Sequence, residues 1–156
     1  MKSKNVIERI GSTIFVHGGL SSRLKQTNMS IKEINAFLRN KKTSVFFSND
    51  NDENLTKFLM GPFGPLWYRG LVGRYKKFYT KATIKEVKGV LRFYQANHIV
   101  VGHTVVKEVS ADFEGMVYRT DIGFPPFKFS GYTQGLLMEN DHFYRVNDIG
   151  DKVQLD

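Results

Sequence analysis

The sequence predicts a single α/β domain with a mixed sheet, short helices and antiparallel strands near the C-terminus. The run Ile-Val-Val at 99–101 is typical of a strand that is buried on both faces. Residues 84–96 repeat apolar side chains at helical spacing, and from residue 108 onward the pattern has period two. A length of 156 residues with 41% hydrophobic residues suits one folded domain over 1–156.

The N-terminal half predicts a β-hairpin followed by two short helices. Two β-branched runs, 5–10 and 12–16, are separated by Gly11, which suits a tight turn. Ser30 and Glu33 form a capping box, because the hydroxyl can accept a free backbone N–H while the carboxylate reaches back. The two helices are expected over 31–39 and 55–60.

The C-terminal half predicts one helix and five strands. A second capping box, Thr83 with Glu86, opens the helix over 84–96, and the buried strand 99–101 follows. Further strands are expected near 108–112, 116–122, 134–139 and 142–146.

The composition of segment 61–70, which lies between these halves, predicts a stiff loop. It contains two prolines and three glycines, and proline fixes φ and removes a backbone donor. The loop also carries the only tryptophan, Trp67, beside Tyr68 and Arg69. An arginine on such a loop can present a planar fork to a phosphate, or it can stack on its aromatic neighbours. Tyr68 can donate a hydrogen bond to the same anion, or simply pack.

Charge and composition limit the possible functions. The formal net charge is +8, and residues 69–92 hold eight basic residues against Glu86 alone. Such a stretch favours phosphate groups on nucleic acid, membrane or small substrates, or else is a solvated face with its acidic partner on another piece of protein. The absence of cysteine removes disulfides, thiol nucleophiles and thiolate metal sites. No apolar run approaches the ~18 residues of a membrane span, so a soluble protein without membrane contact is expected. This does not decide the compartment, and the expected location is cytoplasmic.

Two histidines occupy matching positions in the sequence. His17 and His103 each follow a short hydrophobic strand directly, next to glycine. In open α/β sheets, ligands bind at the carboxyl ends of the strands, where loops converge. Neutral imidazole commonly binds Zn, Fe and Mn, and two rings on neighbouring strands could share one ion. A single histidine in such a setting is more often an ordinary core or surface residue, and the occurrence of two in the same setting weakens that interpretation.

The remaining titratable candidates have simpler interpretations. His98 and His142 are interpreted as structural residues, and Asp112 as part of a hairpin surface. Asp121 is either a turn former or a hydrogen-bond partner of a histidine.

Four segments taken in order resemble one known family. They contain His17-Gly-Gly, Trp67-Tyr-Arg, Gly-His103-Thr and the strand that ends at Asp121. This order and spacing resemble the calcineurin-like metallophosphoesterases, most closely the Shewanella-like branch of bacterial serine/threonine phosphatases. The resemblance implies an α/β/β/α sandwich, of which this chain would form the C-terminal half.

The resemblance also implies a reaction and its site residues. Family members hydrolyse phosphate monoesters with two divalent ions (Mn, Fe or Zn), so the expected substrate is a phosphoprotein or a small phosphoester. By resemblance, His17 and His103 bind the second metal, whereas Arg69 and Tyr68 bind the substrate phosphate.

Three motifs of that family, GD-x-HG, GD-x-x-DRG and GNHE, do not occur in the sequence. The expected domain is therefore partial, with the N-terminal metal-binding half absent and acting as a possible partner. Two histidines leave an ion short of its usual set of about four to six ligands, so metal binding is expected to be weak or missing. We expect no phosphatase activity from this chain alone, and an exposed apolar face that promotes association.

A non-catalytic alternative uses the basic and aromatic stretch 67–92 to bind nucleic acid or another partner. Aromatic rings stack on bases while lysine and arginine neutralise phosphates. The proposed stacking residues are Trp67, Tyr68, Tyr75, Phe78 and Tyr79.

Overall fold

The computed structural model describes residues 4–40, 50–73, 79–123 and 131–156, with the side chains of 50–52 left out. Its strands are β1 (Ile7–Ile10), β2 (Thr13–Val16), β3 (His98–Val101), β4 (Ser110–Asp112), β5 (Val117–Arg119), β6 (Gln134–Glu139), β7 (His142–Asn147) and β8 (Lys152–Gln154). The helices are α1 (Ile31–Asn40), α2 (Asp50–Leu59) and α3 (Ile84–Phe93), with a 3₁₀ helix at Ser22–Thr27.

A five-stranded mixed sheet forms the centre of the described chain. Its strand order is β1-β2-β3-β5-β4, with β2, β3 and β5 parallel and the edge strands β1 and β4 antiparallel to their neighbours. In the β2–β3 pair, Val16 lies opposite Val101 at the carboxyl ends. The residues that follow these two strands therefore emerge side by side at the same edge of the sheet.

One face of this sheet carries the main hydrophobic core. Ile14 on β2 and Ile99 on β3 have no exposed surface, because α3 and the 3₁₀ helix pack over this face. The helical side of the contact is made by Val87 and Val90, each 1% exposed. Full burial of such an aliphatic side chain contributes about 1.5–3 kcal/mol, so this layer holds the strands in register.

The opposite face is covered only in part, by the antiparallel sheet β6-β7-β8. Phe143 of β7 stacks on Tyr118 of β5, with ring centroids 4.0 Å apart, and both pack against Val100. Towards the β1–β2 end this face is more open, and Ile10 is 62% exposed. Whether this exposed surface promotes association stays a prediction.

The structure confirms the mixed α/β fold and both capping boxes. Helix α2 begins at Asp50, five residues before the helix predicted over 55–60. Helix α3 ends at Phe93, since Gln95 has a left-handed backbone with φ of 52°. The 3₁₀ helix and β8 were not predicted, and most of the expected loop at 123–131 lies outside the described residues. None of the helices in the described ranges has the length and apolar character needed to span a bilayer.

Candidate functional site

The two predicted histidines lie side by side. The Gly102 N–H donates to the His17 carbonyl at 3.0 Å, which continues the β2–β3 pairing past the ends of both strands. The ring centroids are 4.5 Å apart, and His103 Nδ1 lies 2.6 Å from His17 Nε2. At that distance one nitrogen must carry the proton and the other must accept it. The structure thus brings the rings together as the parallel-strand argument predicts.

His103 has a strained backbone. Its φ is +61°, in the left-handed region that residues with a Cβ rarely adopt. The Thr104 N–H donates to the Gly102 carbonyl at 2.7 Å, so His103 is the central residue of a three-residue turn. Such conformations cost about 1–3 kcal/mol and cluster at functional sites. Here the turn directs the imidazole towards His17.

The loop at 61–70 docks on the turn that carries His17. The N–H groups of Gly18 and Gly19 both donate to the Pro65 carbonyl, at 2.9 and 3.2 Å. A Cβ on Gly18 would lie only 2.7 Å from the Leu66 carbonyl carbon and 2.8 Å from the Trp67 nitrogen. Glycine is therefore required at position 18 because two backbone segments touch there.

This docking brings Arg69 to the histidine pair. A terminal guanidinium nitrogen of Arg69 is in hydrogen-bonding contact with His103 Nε2. Because guanidinium is always protonated and only donates, His103 Nε2 must accept. The His103 proton then sits on Nδ1 and is donated to His17 Nε2.

The surroundings of His103 favour its neutral form. Burial lowers the pKa of His103, and the positive charge of Arg69 and electrostatic coupling to His17 lower it further, whereas the negative charge of Asp121 acts in the opposite direction. Asp121 thus acts on His103 through its charge, and its role as a hydrogen-bond partner of a histidine stays a prediction. The site in its free state thus joins the guanidinium cation of Arg69 to two imidazole rings that are hydrogen-bonded to each other.

Trp67 and Tyr68 are neighbours in the chain but face different surroundings. The Trp67 side chain is 47% exposed, and its ring centroid lies 5.2 Å from that of His103 in an edge-to-face arrangement. Tyr68 is 7% exposed and packs against Phe63 and Tyr79. Burial raises the pKa of Tyr68 to about 12, so its hydroxyl stays protonated at neutral pH. Packing is observed for Tyr68, and its role towards phosphate stays a prediction.

The two remaining histidines lie away from this cluster. His98 begins β3 rather than closing α3, and its ring packs against those of Tyr118 and Phe143 at centroid distances of 5.8 and 4.6 Å. His142 Nδ1 lies 3.2 Å from a carboxylate oxygen of Asp156. Both residues have the structural surroundings that were expected of them.

Part of the basic stretch finds acidic partners within the chain. Lys81 pairs with Asp112 at 2.7 Å, and Lys88 pairs with Glu114 at 2.9 Å. Arg119 also reaches Asp112, at 3.4 Å, so Asp112 is an ion-pair centre rather than plain hairpin surface. Residues 74–78, which include Tyr75 and Phe78 of the nucleic-acid hypothesis, lie outside the described residues.

The comparisons with known proteins point to phosphatases. No protein-family profile matches the chain, and no curated protein sequence matches it either. Among solved structures, it is similar to a cold-active protein-tyrosine phosphatase of a psychrophilic Shewanella species, with 30% identity and a TM-score of 0.78. A second structure of a cold-active protein-tyrosine phosphatase, and one of a mutant form, match with the same identity and TM-score. The matches cover 99% of this chain but only 43–44% of those chains, so it spans less than half their length.

These findings correct the family expected from the sequence. The matching structures are described as protein-tyrosine phosphatases, not as calcineurin-like or serine/threonine metallophosphoesterases. The chain is therefore not assigned to that family or to half of its α/β/β/α sandwich. The expected Mn, Fe or Zn cofactor is withdrawn for the same reason, and within the described ranges no three His, Asp or Glu side chains are grouped to hold an ion. His17 and His103 are accordingly not assigned as metal ligands.

Proposed function

We propose that this chain forms the phosphate-binding part of a phosphatase that acts on phosphate monoesters. The observation that carries the proposal is the convergence of His17, His103 and Arg69 at the carboxyl edge of parallel strands. The likeness to protein-tyrosine phosphatases at 30% identity supports the same reaction class. The predictions of one partial domain over 1–156 and of a cytoplasmic location belong to this proposal.

The site offers what a phosphate monoester requires. At neutral pH the ester carries about 1.5–2 negative charges and three strong acceptor oxygens. Arg69 supplies a planar, permanently charged fork, and the histidine rings supply further N–H donors. When the anion binds, the Arg69 contact with His103 is exchanged for a contact with a phosphate oxygen. Removal of that contact and arrival of negative charge both favour protonation of the histidine pair.

Tyr68 is included in the proposal as a further donor. Its hydroxyl keeps its proton at neutral pH because burial raises its pKa to about 12. The variant Tyr68→Phe keeps the ring packing and removes only the hydroxyl. If the hydroxyl contacts the anion, phosphate affinity falls several-fold while the free energy of unfolding changes little, and unchanged affinity would assign Tyr68 to packing alone.

The first experiment measures the affinity for inorganic phosphate by calorimetry. We expect Arg69→Ala and His103→Gln each to weaken binding by about 10- to 100-fold, since hydrogen bonds to charged groups contribute about 1.5–3 kcal/mol. Arg69→Lys should recover only part of the loss, because lysine keeps the charge but not the fork. The matched control is Arg92→Ala, on the exposed surface of α3. Absence of binding, or an equal loss in the control, would contradict the proposal.

A second experiment asks whether the chain alone turns over substrate. Because it spans less than half of the phosphatases it resembles, we expect it to bind phosphate without hydrolysing p-nitrophenyl phosphate. Robust turnover that His103→Gln abolishes would show instead that this chain carries the complete activity.

Nucleic-acid binding through residues 67–92 stays the alternative prediction. This alternative predicts an affinity for single-stranded DNA that falls steeply as the salt concentration rises. Equal affinity in a His17→Ala, His103→Ala double variant would separate it from the phosphatase proposal.

A further inference from the structure

We propose that the free edge of β8 is an interaction surface that pairs with β8 of a second copy of this chain. The two strands run antiparallel around Gln154 and join the three-stranded C-terminal sheets of both copies into one continuous sheet. The proposal concerns the C-terminal sheet alone and does not depend on the phosphate site.

The hydrogen bonds of β8 show which of its backbone groups are free. The Leu155 N–H donates to the Phe143 carbonyl at 2.8 Å, and the Asp151 carbonyl accepts from the last residue of β7 at 3.2 Å. Because backbone groups alternate in direction along an antiparallel strand, Lys152 and Gln154 direct theirs away from β7. In the described part of the chain no strand pairs with that side, and all three residues of β8 are exposed.

Two other sheet edges are covered by the chain itself. Val6 and Ile7 donate their N–H groups to Asn35 Oδ1 at 2.9 and 3.0 Å, and Asn35 Nδ2 donates to the Ile7 carbonyl at 2.7 Å. The Asn35 side chain thus takes the place of a neighbouring strand beside β1. At the start of β6, the Gln134 side chain accepts from the Val109 N–H at 2.9 Å. Within the described ranges β8 has no such cover, so its edge is open to another strand.

The sequence around β8 is complementary to itself when it is read in the opposite direction. Antiparallel pairing centred on Gln154 sets Lys152 opposite Asp156 of the copy. The same register sets Val153 opposite Leu155, and Gln154 opposite itself. Opposite charges and apolar pairs that face each other across an antiparallel ladder stabilise it. A contact of this kind has two-fold symmetry, so it closes with two copies.

The lysine of β8 does not block this pairing. A lysine on an edge strand commonly prevents strand addition, but here Lys152 faces a carboxylate of the copy. Within the chain, Lys152 Nζ lies 2.5 Å from a Glu139 carboxylate oxygen, and an Asp156 carboxylate oxygen lies 3.2 Å from His142 Nδ1. An ammonium has three donors and a carboxylate has about four acceptor sites, so both groups keep capacity for a further partner.

The first experiment measures self-association of the whole chain by sedimentation equilibrium. Because the contact is short, we expect a dimer with a Kd between about 1 μM and 1 mM. Gln154→Pro removes an N–H that the dimer needs and the monomer does not use, and proline is tolerated on an edge strand whose N–H faces solvent. This variant should dimerise at least about 10-fold more weakly. A chain that stays monomeric at about 1 mM, or a dimer that Gln154→Pro leaves unchanged, overturns the proposal.

The second experiment tests the register by exchanging charges. Lys152→Glu and Asp156→Lys each set like charges opposite one another, so each should weaken the dimer by about 2- to 10-fold. The double variant sets opposite charges together again and should recover most of the loss. The matched control is Lys107→Glu, which changes the charge of an exposed lysine outside the C-terminal sheet and should leave the dimer unchanged. A double variant weaker than both single variants overturns the proposed pairing.

The third experiment locates the contact by NMR. Dilution from the dimer should shift the amide resonances of Lys152 and Gln154, which face the copy, more than that of Val153, which faces β7. The competing location is the open face of the central sheet, where Ile10 is 62% exposed. Self-association that Ile10→Asp abolishes and Gln154→Pro does not would place the contact there and overturn the proposal.

Discussion

The two ends of β3 place the same residue type in opposite roles. His98 begins the strand and lies against the rings of Tyr118 and Phe143, beneath the C-terminal sheet. His103 follows the strand at its carboxyl end, is half-buried, and contacts His17 and Arg69. One histidine thus packs against a hydrophobic cluster, and the other belongs to a group of hydrogen-bonded polar side chains.

The pKa values of these two histidines are shifted in the same direction for different reasons. Burial lowers the pKa of His98, and the negative charge of Asp156 partly opposes this. For His103, burial is joined by the positive charge of Arg69 and by electrostatic coupling to His17. A lowered pKa alone therefore does not distinguish the two histidines, whereas the positive charge of Arg69 beside His103 does.

The largest expected effect comes from adding a methyl group at Gly18, where the backbone touches the 61–70 loop. Gly18→Ala would force the Leu66–Trp67 backbone away, so we expect the free energy of unfolding to fall by about 1–3 kcal/mol. Phosphate affinity should fall with it, because Arg69 moves with the loop. Denaturant unfolding and calorimetry measure the two effects.

The control for that variant is Gly102→Ala, beside His103. The nearest atom to its added Cβ is the His17 carbonyl oxygen at 3.6 Å, an ordinary contact. Equal losses in the two variants would mean that the loop contact at Gly18 is not what positions the site.

The next effect is a pH dependence of the free energy of unfolding that comes in part from His98, at the first end of β3. A histidine whose pKa is lowered in the folded state binds fewer protons there than in the unfolded chain, so stability rises with pH through that window. We therefore expect the free energy of unfolding to fall as pH drops below about 6.5, the ordinary pKa of histidine. His98→Phe should flatten this dependence and leave phosphate affinity unchanged, and His142→Gln is the control. An unaltered pH slope in His98→Phe, measured by urea unfolding from pH 5 to 7, would contradict the account.

The smallest expected effect comes from Asp121, whose negative charge acts against the positive charge of Arg69 at His103. Asp121→Asn removes a negative charge near His103, so the pKa of His103 should fall further. The pH dependence of Trp67 fluorescence reports this shift, because an imidazolium next to an indole quenches its emission. Asp141→Asn, in the turn between β6 and β7, is the matched control. A midpoint of the fluorescence titration that moves to higher pH in Asp121→Asn, or that moves equally in Asp141→Asn, would contradict this prediction.

Local sequence patterns were sufficient to locate the histidine pair. His17 and His103 could be placed together because parallel strands end at one edge of a sheet, and the flanking apolar runs mark those strands. The contact between Arg69 and His103 could not be predicted, because it depends on the docking of the 61–70 loop through Gly18. Strand β8 was missed for another reason: it is exposed along its whole length and has no apolar alternation.

The reaction class was harder to infer than the site. Three short motifs led to the proposed phosphate site, but a histidine pair and an arginine suit any phosphate ligand. The metal-dependent serine/threonine class rested on the resemblance alone, and the structural comparison returned protein-tyrosine phosphatases instead.

The most direct test follows the four histidine side chains of this protein by NMR while inorganic phosphate is added. Long-range ¹H–¹⁵N spectra resolve the tautomer and protonation state of each imidazole. We predict that phosphate shifts the resonances of His17 and His103 towards the protonated form and leaves those of His98 and His142 in place. Unchanged spectra, or equal shifts at all four rings, would show that phosphate does not bind at the carboxyl edge of β2 and β3.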